Sequence, residues 1–272
     1  MSVDESVRAA IETSIAEIEH NKQVRVLFAA ESGSRAWGCA SPDSDYDVRF
    51  IYVHELEWYL RVSEPRDVIE ARLPGDLDLS GWELRKTLRL FAKCNLALNE
   101  WLGSPIVYRS DDAFVERLRQ LIPTFFRPPH AVLHYLRTAQ SMWRDHLDQP
   151  SVRLKKVFYA LRPLLACRWI EHTLSQPPTE FEKLLQAEWV SDSERQMIGE
   201  LQAAKVQASE ADRCPMPAEL SAWLVEQMGY FEGVGPKLAV QASGEGRELD
   251  RVLAEWVVGL MGLAGAGRWE RP

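Results

Sequence analysis

An α+β fold built in two successive parts follows from three observations on the chain. Through residue 110, short β-branched runs alternate with turn residues and with two amphipathic helical stretches. Beyond Asp111 the strand-like runs disappear and long 3.6-residue periodicity takes over. Proline clusters then punctuate the helices at Pro128-Pro129, Pro150-Ser151, Pro177-Pro178 and Pro215-Met216-Pro217. The prediction is a mixed α/β domain over 1–110 followed by an all-helical domain over 111–272.

Each element has its own signal. Val7, Ile11, Ile15 and Ile18 recur at helical spacing between Asp4 and Asn21, with Asp4 placed as an N-cap. Val24 to Ala30 is a short apolar run that reads as a buried strand, and Glu31-Ser32-Gly33-Ser34 as the turn at its exit. Tyr46 to Val53 reads as a second strand, with Val48, Phe50 and Tyr52 on one face and the parity of Asp45 and Asp47 on the other. Residues 67–73 predict a third strand, Pro74-Gly75 a turn, and 77–81 a fourth strand carrying Asp78. Glu83 to Cys94 predicts a helix and Pro105 to Tyr108 a further short strand. The helical part is predicted over 111–122, 130–147, 152–174, 193–208, 217–231 and 248–263, with Gly262 to Gly267 as a fraying tail.

Composition narrows the class. Of 272 residues, 46% are hydrophobic and 26% charged, the balance of a globular protein with a real core. No window supplies the roughly 18 uncharged apolar residues of a membrane span, and the first residues lack a secretory h-region, so a cytoplasmic protein without a membrane partner is expected. Cys39, Cys94, Cys167 and Cys214 show neither Cys-x-x-Cys pairing nor zinc-ligand spacing, which predicts reduced, structural thiols. The net charge of −8 disfavours tight non-specific binding to a polyanion.

The chemistry concentrates near the N-terminus. Asp45 and Asp47, two apart on one strand, repel each other unless a cation lies between them, and hard carboxylate oxygens select Mg2+ or Mn2+. Asp78, from a neighbouring strand, supplies the third carboxylate of a site for two ions. Gly33-Ser34 offers backbone approach without a Cβ, together with amide and hydroxyl donors suited to phosphate oxygens. Taken singly, an Asp-x-Asp is ordinary surface chemistry and a Gly-Ser is a turn. The ordered combination is what carries information, and the apolar spacer Tyr46 selects Asp45-Tyr46-Asp47-Val48 over the overlapping Asp43-Ser44-Asp45.

This combination, Gly33-Ser34, ten intervening residues, then Asp45-Tyr46-Asp47-Val48, resembles the signature of the DNA polymerase β-like nucleotidyltransferase superfamily. Residues 28 to 190 are similar to the RlaP branch in the phrases at 33–38, 41–53, 78–86, 99–108 and 155–163. The resemblance implies a polymerase β-like palm of mixed sheet and helices, followed by a helical domain. It also implies transfer of a nucleoside monophosphate from a nucleoside triphosphate, with two Mg2+ or Mn2+ ions, to an acceptor hydroxyl; an RNA 3′ end fits the branch's association with RNA repair. On this reading Asp45, Asp47 and Asp78 hold the metals, Asp78 helps deprotonate the acceptor, and Gly33 and Ser34 hold the triphosphate. Two departures stand out: Glu31-Ser32 makes the strand exit more polar than the superfamily pattern, and Glu83 replaces an aspartate.

A triphosphate also needs cations. Residues 151–172 hold Arg153, Lys155, Lys156, Arg162 and Arg168 against Glu171 alone, in an otherwise acidic chain. Lys155, Tyr159 and Arg162 fall on one helical face, so Lys155, Lys156, Tyr159 and Arg162 are expected at the nucleotide, with Pro163 kinking the helix beside them. Arg35, directly after the Gly-Ser pair, is expected to meet a phosphate, and Trp37 is the tryptophan placed to stack on a base. Other readings remain for the same residues: nucleotidylation of a small molecule or protein side chain, a metal-dependent nuclease, or a non-catalytic nucleotide sensor.

Overall fold

The computed structural model describes residues 3–41, 43–63, 65–73, 76–207, 212–239, 244 and 246–264. In chain order they form α1 (Glu5–Lys22), β1 (Val24–Glu31), α2 (Gly33–Trp37), β2 (Tyr46–His54), α3 (Leu56–Tyr59), β3 (Val68–Leu73), β4 (Leu77–Glu83), α4 (Leu84–Ala92), α5 (Leu96–Leu102) and β5 (Val107–Ser110). There follow α6 (Asp112–Phe125), α7 (Pro128–Met142) with a π-helical turn over Trp143–Leu147, β6 (Ser151–Arg153), α8 (Leu154–Thr173), α9 (Phe181–Leu185) and α10 (Asp192–Gln207). The last described elements include β7 (Arg213–Pro215), α11 (Ala218–Val234) and α12 (Gly246–Ala264). None of the described helices is long and apolar enough to cross a membrane.

The mixed α+β class is what the sequence predicts, but the division into units is different. One unit comprises residues 1–32, 45–125 and 244–272, the other residues 33–44 and 126–243. The units therefore do not divide at the single boundary expected after residue 110: residues 33–44 group with the helical unit, and residues 111–125 and 244–272 with the sheet. Helices α6 and α12 belong with the sheet because their apolar faces, Phe114, Leu118 and Phe125 on one and Leu249, Val252 and Val257 on the other, bury in the sheet's own core. Burying such faces is what makes a helix part of a domain, whatever its place in the chain.

In the first unit five strands run in the order β3-β4-β2-β1-β5. Strands β2 and β4 are parallel, and the pairs β1–β2, β1–β5 and β3–β4 are antiparallel. The alternation read from the sequence holds: Val48, Phe50 and Tyr52 face a core that includes Ile11 and Ile15 of α1, while Ile51 and Val53 face α4, α5, α6 and α12. A bulge in β1, where the register passes from Val26↔Tyr52 to Phe28↔Ile51, lets Leu27 and Phe28 both enter the second core. Gly81 stands opposite Phe50, and a Cβ there would lie 2.1 Å from the buried ring, so this glycine makes room for the aromatic side chain.

Local signals mostly match. Asp4 caps α1 by accepting from Ser6 N, and Glu83 caps α4 by accepting from Arg85 N and Lys86 N. The expected turn at Pro74-Gly75 lies outside the described residues, as do residues 265–267 of the expected glycine-rich tail; Gly262 to Ala264 are helical. Helices α2, α3, α5 and α9 have no counterpart in the sequence reading, because elements of four to seven residues contain too few turns to show a period. Cys39, Cys94, Cys167 and Cys214 are not joined in disulfides.

The second unit is built on α7 and α8, against which α11 also packs, with α9 and α10 against α8. A two-stranded antiparallel ribbon pairs Val152 of β6 with Cys214 of β7. Helix α8 runs unbroken from Leu154 to Thr173 through the buried Pro163, where a kink is expected. Pro163 lies inside a stretch, Ala160 to Cys167, in which every residue is buried. Tertiary packing of that kind outweighs the local loss of one backbone bond.

Candidate active site

The acidic residues belong to the sheet unit. Parallel pairing sets Asp47 of β2 directly opposite Asp78 of β4. Strand parity turns both away from Val48, Leu77 and Leu79, so the two carboxylates share the sheet face on which Ile51 and Val53 lie further along β2. Asp47 and Asp78 keep 32% and 38% of their side-chain surface, enough for a ligand to reach both. Asp45 lies one residue before β2 and is exposed, and Asp43 is exposed in the preceding turn.

What joins Asp47 to Asp78 is a residue the sequence reading passed over. Arg49 Nη2 stands 3.0 Å from Asp47 Oδ1 and 2.9 Å from Asp78 Oδ2. Its Nη1 donates to the carbonyls of Val48 and Asp78, each at 3.2 Å. The side chain is 19% exposed. The signal was present in the sequence: Arg49 is two residues beyond Asp47, so strand parity puts it on the acids' own face.

Asp47 is held from beneath by Glu31, which the sequence shows only as a polar departure at the strand exit. Glu31, at the end of β1, is fully buried, and its Oε1 accepts from Asp47 N at 2.8 Å. Its Oε2 accepts from the Tyr108 hydroxyl. Burial, then the neighbouring Glu31 charge, holds the Tyr108 phenol protonated far above its ordinary range, which keeps it a donor. The Glu31 carbonyl accepts from Ser104 Oγ at 2.7 Å, and Ser32 N donates to Asp47 O at 2.9 Å. The polar strand exit that departs from the superfamily pattern is thus the clamp on the backbone of Asp47. Glu83, the other departure, is also buried and accepts from the Tyr59 hydroxyl in addition to capping α4.

The Gly-Ser pair and the basic residues belong to the helical unit. Gly33 and Ser34 open the short helix α2 where a turn is expected. Gly33 has φ 60°, a left-handed conformation that strains any residue with a Cβ. Ser34 is buried and Arg35 Nη2 donates to Ser44 O at 2.5 Å, so Arg35 ties the loop that connects α2 to β2. Lys155 and Lys156 lie in the first turn of α8, both half-buried, with Lys156 Nζ 5.8 Å from the centroid of the Tyr159 ring. The Tyr159 ring meets Trp37 edge-on at 4.8 Å between centroids.

Arg162 sits where a phosphate ligand is not expected. It is 1% exposed, its guanidinium lies 4.7 Å over the Trp37 ring, and it donates to Thr179 O at 3.1 Å and Pro178 O at 3.4 Å. The helical face predicted from spacing is real, but Tyr159 and Arg162 turn it inward onto Trp37. Arg162 therefore supports the placement of Trp37, and Trp37 is engaged by protein on at least one ring face. Arg162→Met is expected to lower stability by about 2–4 kcal/mol, because two carbonyls lose a charged donor and the aromatic ring its cation. A thermal melt of the variant unchanged from wild type would return Arg162 to the list of phosphate ligands.

A fit to divalent metal rests on the chemistry of the acid pair. Two carboxylates already gathered around one cationic nitrogen are a donor set suited to a hard ion. Among the described residues no three His, Cys, Asp or Glu side chains converge into one metal-holding group. The gathered set is the pair Asp47 and Asp78, where a trio with Asp45 is expected from the sequence.

On its mixed sheet the chain sets Asp47 and Asp78 opposite each other on neighbouring parallel strands. It belongs to the RlaP family, described as an RNA repair pathway DNA polymerase β family, whose sequence profile matches residues 7–255. Uncharacterized protein YcgL of Bacillus subtilis (strain 168) is 51% identical over 168 residues, 62% of this chain and 65% of that protein. The match thus spans somewhat less than two thirds of that relative's length. A nucleotidyltransferase-like protein from Exiguobacterium sibiricum 255-15 aligns over 94% of this chain and 90% of its own, at 14% identity and a TM-score of 0.30.

Proposed function

We propose that the protein transfers a nucleoside monophosphate from a nucleoside triphosphate to an acceptor hydroxyl, with release of pyrophosphate, and that an RNA 3′ end is the acceptor. The observation that carries this reading is the cross-strand pairing of Asp47 with Asp78 around a single cationic nitrogen. In a transferase such a pair sits where charge develops on the attacking and departing oxygens. Asp47 and Asp78, with Asp45, would hold Mg2+ or Mn2+, which supplies Lewis-acid stabilisation of the transferred phosphoryl group. Asp78 accepts the acceptor's proton. Glu31 fixes the backbone of Asp47 so that its carboxylate keeps one position through the reaction. Gly33, Ser34, Arg35, Lys155, Lys156 and Tyr159 are assigned to the triphosphate, and Arg162 to the support of Trp37.

The test is incubation with each α-labelled nucleoside triphosphate, with Mg2+, Mn2+ or EDTA, beside short RNAs ending in a 3′ hydroxyl or a blocked 3′ end. Label should enter the unblocked RNA, with matching pyrophosphate, only when a divalent ion is present. Label in the protein itself or in an added small molecule would replace the RNA assignment, in keeping with the chain's net charge of −8. Shortening of the RNA without any triphosphate would replace the transfer reaction by hydrolysis.

A further inference from the structure

The bridge formed by Arg49 implies more than attraction between neighbours. Two carboxylates facing each other across a parallel pair repel, and some positive charge must lie between them for both to stay ionised. The chain provides that charge from within. One nitrogen, Nη2, touches both Asp47 Oδ1 and Asp78 Oδ2, while Nη1 is tethered to two backbone carbonyls, Val48 O and Asp78 O. Four contacts from one guanidinium fix it in this position, which its planar fork makes possible and a lysine ammonium cannot reproduce. The two carboxylates that Arg49 engages are the ones proposed above to hold a divalent ion.

We propose that Arg49 is an internal counter-ion that holds Asp47 and Asp78 in register before metal arrives and that competes with the divalent cation for the same oxygens. Metal entry requires Nη2 to release at least one carboxylate, after which Arg49 stays beside the site on its Val48 and Asp78 carbonyls. The contact is a latch between two states of the acid pair: arginine-bridged and metal-bound. Apparent metal affinity is then lower than the carboxylates would give by themselves, by the factor that measures how much the bridge is preferred in the metal-free protein. The salt bridges are partly exposed, so that factor is modest, about three- to tenfold. The proposal rests on the metal-dependent reading above, and its test separates the two.

The measurement is Mn2+ binding to the full chain without nucleotide, by electron paramagnetic resonance of free Mn2+ or by calorimetry, for wild type, Arg49→Met and Arg49→Lys. Arg49→Met should bind Mn2+ about three- to tenfold more tightly than wild type, and Arg49→Lys should fall between them. The metal-free form of Arg49→Met should melt below wild type, and saturating Mn2+ should recover more of its melting temperature than it adds to wild type. Wild-type binding that is unchanged or weakened in both variants overturns the latch and leaves the metal reading standing. Failure of wild type to bind Mn2+ at all, with or without a triphosphate, overturns the metal reading itself. Should Arg49→Met not fold, Arg49→Lys carries the test, with equal or weaker binding than wild type counting against the proposal.

Discussion

Asp47→Asn and Asp78→Asn are each expected to reduce nucleotide transfer by about a thousandfold, while the melting temperature moves by only a few degrees. An amide cannot carry the negative charge that attracts a divalent ion, and loss of ~4 kcal/mol of transition-state stabilisation corresponds to roughly three factors of ten. The fold should tolerate the change because Asn Oδ1 can still accept from Arg49 Nη2, and partly exposed ion pairs contribute about 1 kcal/mol or less. Asp45→Asn tests the acid that stands apart from the pair and should be comparably inactive if it completes the metal site. Asp43→Asn serves as the control, since the apolar-spacer argument excludes it, and should keep activity within about threefold of wild type. Single-turnover rates with saturating triphosphate separate loss of chemistry from loss of binding. An Asp47→Asn enzyme within tenfold of wild type would remove the acid pair from the mechanism.

Glu31→Ala is expected to destabilise the fold and the site together. Removing the carboxylate leaves Asp47 N–H and the Tyr108 hydroxyl in a buried place without their acceptor. Each orphaned group costs about 1–3 kcal/mol, so a loss of ~3 kcal/mol and a fall in melting temperature of about 6–10 °C follow. Activity should fall about a hundredfold in addition, because a displacement of Asp47 by ~1 Å misaligns the carboxylate proposed to hold the metal. Glu31→Gln retains an oxygen for Asp47 N–H, and its amide can donate to the tyrosine oxygen, so about half or less of the stability loss is expected. Thermal melts and kcat on the pair of variants check both parts. If Glu31→Ala melts with wild type, the buried clamp is not what positions Asp47.

The legibility of the site follows from the range over which each determinant acts. Asp47 and Asp78 were readable because strand parity is local and because their types have a definite chemistry. Arg49 obeys the same parity and went unread: an arginine on a strand has no characteristic meaning until a partner from another strand is seen beside it. Glu31 read as a polar departure from a pattern, and only the approach of Tyr108 from β5, 77 residues away, shows its purpose. Arg162 failed in the opposite direction. Its spacing from Lys155 and Tyr159 correctly gave a shared face, but helical periodicity carries no information on whether that face meets solvent or Trp37.

The domain boundary has the same explanation. The change in character at Asp111 is genuine, since strands of the main sheet end with β5 at Ser110. Yet α6 and the C-terminal α12 bury their apolar faces in the sheet's core, and residues 33–44, flanked on both sides by β-strands, pack with the helical unit.

By itself, then, the sequence determined the fold class, the strand that carries Asp47, the strand that carries Asp78 and the glycine on which α2 begins, because periodicity, turn chemistry and residue type act within a few positions. Tertiary structure alone decided that β2 and β4 pair in parallel with Asp47 opposite Asp78, that Arg49 bridges them, that Glu31 clamps one from below and that Arg162 is interior. Those outcomes depend on which distant segments share a core, a choice made by the total apolar surface buried and by the satisfaction of buried polar groups across the whole chain.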